Sequence, residues 1–273
     1  MKLWVTVMLA LGACDSADHA ATVPVTVRFV VRANGEDVRC GQTYAGLGAT
    51  LATFEPADLR LYVHDVALVD DAGRAVAMTL DEDARWQGQG VALLDFEDGT
   101  GACENGNADL HTVVTGTVPD GDYRGLHFVL GVPPALDHLD TATAAPPLDV
   151  SSMFWGWIQG YKFLRIDGLT AAGGWSVHLG ALDCSRDDKG AFACATANAV
   201  SVDLSLDPTR DVVVLDLGAL FAESQLDANS GPSVGCMSDR SDPDCVAIFA
   251  RLGLPLGEVP ASEQRVFTTA VAP

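Results

Sequence analysis

The sequence predicts a mainly β protein: a single β-sandwich-like domain with short C-terminal helices, stapled by disulfides. Three observations point there. Apolar residues alternate with period two over most of the chain, which sends successive side chains to opposite faces of a strand. Gly and Asp punctuate these runs, as in Asp98-Gly99 and Asp120-Gly121. Of seven cysteines, setting Cys14 aside leaves six, an even number that reads as a disulfide framework.

Taken in order, the chain opens on an export signal. Met1-Lys2 is a minimal positive start, and Leu3 to Ala10 is apolar but too short to span a bilayer. Leu11-Gly12-Ala13-Cys14 then has the order of a bacterial lipobox, in which the cysteine is lipidated. The rival is an ordinary signal peptide with Cys14 as a bystander. Residues 1–13 read as a lipoprotein signal peptide, 14–22 as a tether and 23–273 as the folded domain. The expected location is the periplasm or outer cell surface, held to a membrane by lipid on Cys14.

Val23 to Arg32 reads as the first strand, with Val25, Val27, Phe29 and Val31 on one face and a turn at Asn34-Gly35. Asp58 to Val69 follows, with Leu59, Leu61 and Val63 opposite Tyr62 and His64. Further strands are expected over Ala75–Leu80, Val91–Phe96, Leu110–Val118 and Gly125–Val132. Ala135 to Pro147 is irregular, and a loop that long in a compact domain often carries function. Strand-like sequence resumes over Met153–Asp167, Trp175–Leu182, Ala199–Leu206 and Asp211–Leu217. Leu217–Glu223 and Asp244–Leu252 are the helix candidates, the second opened by Asp242-Pro243. Six cysteines permit 15 pairings. Local spacing suggests Cys184 with Cys194 and Cys236 with Cys245, which leaves Cys40 with Cys103.

Acids outnumber bases 37 to 16, for a formal charge of −21. With no basic cluster, nucleic acid is excluded as a partner. Cysteine-zinc chemistry is disfavoured because C-x-x-C does not occur. Gly174-Trp175-Ser176-Val177-His178 begins like a nucleophile elbow but ends in His and lacks the strand-turn-helix context. His64-Asp65 lies in a strand, so its two side chains are expected on opposite faces and unable to form a dyad. Asp95, Glu97 and Asp98 read as a solvated turn, lacking the EF-hand pattern. No sequence feature demands turnover, so the chain is not expected to be an enzyme.

Any metal site must be assembled from distant residues. His138, in the irregular loop, and His178, near a strand end, are the histidines at positions where sites collect. His64 is a third candidate. The most unusual segment is Ser151-Ser152-Met153-Phe154-Trp155-Gly156-Trp157. On an extended chain Met153, Trp155 and Trp157 share one face. Thioether and imidazole together suit Cu(I). The plainer reading is an aromatic core strand, and the rival function is a structural or adhesive surface lipoprotein without a metal.

The chain resembles the MbnP family, the metallo-mystery pair four-cysteine proteins. The resemblance rests on Leu59-Arg60-Leu61-Tyr62-Val63, the run from Val91 to Gly101, Gly131-Val132-Pro133, Met153 to Trp157, Gly160-Tyr161-Lys162-Phe163 and His178-Leu179-Gly180. It implies an exported copper-binding protein of copper homeostasis, partnered by a diheme enzyme similar to cytochrome c peroxidases. It further implies that the partner oxidises Trp155, first of the Trp-x-Trp pair, to kynurenine, beside which one Cu(I) is held by histidine and methionine. For the histidine, His178 and His138 are favoured. For the methionine, Met153 is favoured and Met237 is the alternative.

Overall fold

The computed structural model describes residues 21–104 and 106–272. The signal peptide and residues 14–20 of the tether, Cys14 included, lie outside these. Thr22, the last expected tether residue, already belongs to the first strand, Thr22–Ala33.

Two sheets stack face to face. In the first, Phe267–Val271, Asp211–Asp216, Thr22–Ala33, Val113–Pro119 and Thr79–Leu80 lie side by side in that order. The pairing of Thr22–Ala33 with Asp211–Asp216 is parallel, and its other flank is antiparallel to Val113–Pro119. In the second sheet the central path runs Gly173–Leu179, Leu164–Thr170, Ala52–Asp70, Tyr123–Leu130, Val200–Ser205. The inner faces interdigitate as the alternation predicts. Phe29 meets Phe128 edge-on at 5.6 Å between ring centroids, and Phe128 meets Phe267 at 5.3 Å. Such T-shaped pairs place a ring's positive edge on its neighbour's negative face.

The second sheet is covered on its outer face as well. Tyr62, Leu93, Met153, Tyr161 and Phe163 form a separate apolar cluster there, beneath the 133–163 segment. Burial on both faces explains why Leu59 to His64 is buried without a break. All three disulfides have the pairing that spacing suggested. Helix α1 spans Leu217–Phe221 and α2 spans Asp244–Leu252, where expected. Asp242 accepts from the Asp244 amide, and Cys245, Ile248, Phe249 and Leu252 bury one stripe of α2. The Asn34-Gly35 turn has φ of 52° and 88°, the left-handed values a two-residue hairpin turn requires.

Four expectations are corrected. Met153–Asp167 is not one strand: Ser151–Met153 is a 3-10 turn, Phe154–Gly156 and Gly160–Tyr161 form a small hairpin, and Leu164–Thr170 joins the sheet. Ala75–Leu80 divides at Met78, its two halves pairing in different sheets. His64 and Asp65 do not point apart. Asp65 takes φ of 50° in a β-bulge, where the register against Tyr123–Leu130 slips, and its carboxylate comes 3.1 Å from His64 Nδ1. Asp95 and Glu97 are not a solvated turn; both are buried, and only Asp98 caps the turn, accepting from Thr100.

Candidate metal centre

Pairing of Gly173–Leu179 with Leu164–Thr170 sets His178 opposite Arg165 and Ser176 opposite Asp167 on the outer face. There His178 Nε2 lies 2.7 Å from Asp167 Oδ1. A carboxylate accepts, so Nε2 carries the proton and Nδ1 keeps its lone pair in the ring plane. The second oxygen of Asp167 takes Arg165, at 2.7 and 2.8 Å. Burial works to raise the Asp167 pKa, but hydrogen bonds from His178 and Ser176 with Arg165 nearby hold it far below the usual carboxylate range.

Trp155 leans over this histidine, ring centroids 6.2 Å apart. Its six-membered ring lies against Gly180. A Cβ there would come within 2.5 Å of Trp155 Cζ3 and 2.7 Å of the Tyr161 carbonyl, so only glycine allows the approach. A charged lattice holds the segment carrying Trp155. Arg60 Nη1 donates to Ser152 Oγ, while Lys162 and Arg165 donate to the Ser152 carbonyl at 2.8 and 3.1 Å. The arginines are themselves fixed by Asp58, with Glu97 3.2 Å from Arg60. Burial, with Asp58 adding to it against Arg60, pushes Glu97 up to about 7.

Met237 directly follows a residue that is bridged to the strand carrying His178. The Cys236 amide donates to Ser176 O and the His178 amide to Cys236 O, both at 2.9 Å, a parallel bridge centred on Val177 and Cys236. Val177 and Cys236 both bury inward, and Met237, the next residue along the chain, is half-buried. Met153 lies elsewhere, buried in the outer aromatic cluster with Phe154, which Trp155 does not join. The 3-10 turn ending at Met153 breaks the shared face that an extended chain would have given. Trp157 and Ile158 stand out at 57% and 54% exposure.

His138 and His64 occupy a different place. Both line a cavity of about 160 Å³ with Asp137 and Cys194. His138 Nε2 is 3.4 Å from Cys194 Sγ, and its Nδ1 is 3.1 Å from the Trp157 carbonyl. Ser176 and His178 sit in an antiparallel strand, so the elbow-like sequence forms no elbow. Sequence reading missed Asp167. Locating the turn at Ala171-Ala172 and counting register back would have found it, since it lies eleven residues from His178 across a hairpin.

The two-sheet fold is shared with a solved protein. MbnP from Methylosinus trichosporium matches with a TM-score of 0.85 and 34% identity, over 93% of this chain and 100% of that one. No curated protein matches. The MbnP family's sequence profile matches residues 22–238, which carry every described strand except Phe267–Val271, together with Trp155, His178 and Met237; the chain belongs to the MbnP family.

Proposed function

We propose that this chain binds one Cu(I), at a site completed when a diheme enzyme oxidises Trp155 to kynurenine. The observation that carries the reading is the indole of Trp155 packed over a histidine whose Nδ1 is free and whose Nε2 is fixed by a carboxylate. Metal-binding imidazoles are oriented in this way. An indole offers only an N–H donor. Opening its five-membered ring would expose an aromatic amine and a ketone beside His178. The thioether of Met237, next to the residue bridged to the His178 strand, would complete a soft donor set suited to Cu(I). Met237 therefore takes the methionine role ahead of Met153, and His178 the histidine role ahead of His138. The ion would be held and passed on rather than used in turnover. A purely structural or adhesive role leaves the free imidazole nitrogen and the glycine kept open for Trp155 without a purpose. The same reading places the chain outside the cytoplasm on a lipid at Cys14.

The test is production with and without the diheme partner, followed by peptide mapping and metal analysis. The expected result is a mass change on Trp155 corresponding to one carbon exchanged for oxygen, and one copper per chain only then. Conversion of Trp157 in place of Trp155 would overturn the residue assignment. Full copper binding by Trp155→Phe would overturn the mechanism.

A further inference from the structure

The Cys184–Cys194 bridge differs from the other two in its surroundings. Cys40, Cys103, Cys236 and Cys245 are buried, whereas both Cys184 and Cys194 are half-buried. The bridge joins directly opposed residues of a hairpin, Leu182–Arg186 with Phe192–Thr196, whose two strands pair only with each other among the described residues. Besides the bridged cysteine pair, three register pairs hold that hairpin.

An imidazole is already aimed at the two sulfurs. His138 stacks on Phe192 at 4.3 Å, which fixes the ring plane. Its Nδ1 faces the Trp157 carbonyl, and a carbonyl only accepts, so Nδ1 carries the proton and the Nε2 lone pair points toward Cys194. His138 Nε2 and both sulfurs lie within 4.8 Å of one another. Across the same cavity stands His64, buried, with neither ring nitrogen in a hydrogen bond. Its contact with Asp65 is short but poorly aligned. A buried imidazole whose one polar neighbour among the described residues is the Asp65 carboxylate, and whose Nε2 is left unbonded, faces a cavity that holds a second, oriented imidazole and two sulfurs, which points to a ligand.

As a disulfide the sulfurs are neutral and poor donors. We propose that reduction of Cys184–Cys194 converts this cavity into a second soft-metal site, in which the two thiolates and His138 Nε2 hold Cu(I). A dithiol reductant supplies the two electrons and two protons: its own S–S bond forms, the Cys184–Cys194 bond breaks, and two thiols result. Copper then displaces the thiol protons to solvent. Two thiolates and one imidazole are a soft three-donor set, with His64 available from the far wall. The oxidised chain would hold one copper at most, and the reduced chain a second.

The experiment uses mature protein carrying Trp155→Phe, so that the site proposed above contributes nothing. The protein is treated with dithiothreitol and desalted without oxygen; one portion is alkylated for thiol mapping, and another, not alkylated, is titrated with Cu(I) against bathocuproine disulfonate. Labelling at Cys184 and Cys194 alone is expected, with one copper equivalent bound by reduced protein and none by untreated protein. His138→Ala should weaken that binding at least tenfold while labelling is unchanged. The paired substitution Cys184→Ser and Cys194→Ser should abolish it, with circular dichroism reporting an intact fold. Labelling of all six cysteines or none, equal copper uptake in both states, full binding by His138→Ala, or displacement of copper by equimolar zinc would each overturn the proposal.

Discussion

At the scale of single residues, Asp167 holds the most leverage, because one carboxylate orients His178 and anchors Arg165. Asp167→Ala frees the imidazole to rotate and to exchange its proton between nitrogens. Copper affinity of the kynurenine form should fall about 10–100-fold, the usual cost of losing such a partner, as read by competition with a Cu(I) chelator. Gly180→Ala acts by volume, since its methyl would overlap Trp155 and the Tyr161 carbonyl. It should cost about 1–3 kcal/mol in urea unfolding and also lower the yield of Trp155 conversion. Arg60 neutralises Asp58 and Glu97 in a buried setting. Arg60→Met leaves Glu97 without its cation and Asp58 with Arg165 alone, and should cost about 3–5 kcal/mol. That cluster also sets a pH dependence. Burial raises Glu97 to about 7 and Asp95 to about 6, so the folded chain keeps protons that the unfolded chain has lost. Their contribution is therefore most favourable below the ordinary carboxylate values and declines as pH rises from about 4 to about 7. The urea midpoint should fall across that range, and Glu97→Gln should remove much of the slope.

At the scale of elements, the alternation of Thr22–Ala33 and the apolar stripe of α2 were legible because each buries one face against one core. Where a local device overrides the period, the sequence misleads. The bulge at Asp65 brings two strand neighbours into contact, and the 3-10 turn at Ser151–Met153 interrupts the extended alternation just before Trp155. Neither leaves a periodic trace. His178 and Trp155 were both recognisable as chemically unusual, whereas the proposal of Met237 ahead of Met153 rests on a single parallel bridge from Cys236 to Val177. That bridge makes the neighbouring disulfide consequential. Cys236 is tied to Cys245 on α2, so replacing both with alanine should cost about 2–4 kcal/mol. It should also loosen Met237, so copper affinity drops along with the unfolding midpoint. Replacing Cys184 and Cys194 should leave copper binding at Trp155 intact, because their hairpin does not carry Met237.

At the scale of the whole molecule, a sheet buried on both faces holds rigid ground for a site built mostly by its edge strands and the 133–163 segment. The lipid-anchor reading is tested here too: Cys14→Ser should shift the protein from membranes to the soluble fraction, and wild type found wholly soluble would refute it. The parallel pairing of Thr22–Ala33 carries a consequence for biogenesis. The earliest strand to be synthesised lies between Val113–Pro119 and Asp211–Asp216, so one of its edges stays open until most of the chain has been made. Until then Val27, Phe29 and Val31 have no completed core to enter. Such delayed closure makes the nascent chain slow to mature and prone to associate with other chains. Refolded fragments of the mature chain ending before residue 211 should be protease-sensitive and bind holdase chaperones, and resistance should appear only in fragments that include the Asp211–Asp216 strand.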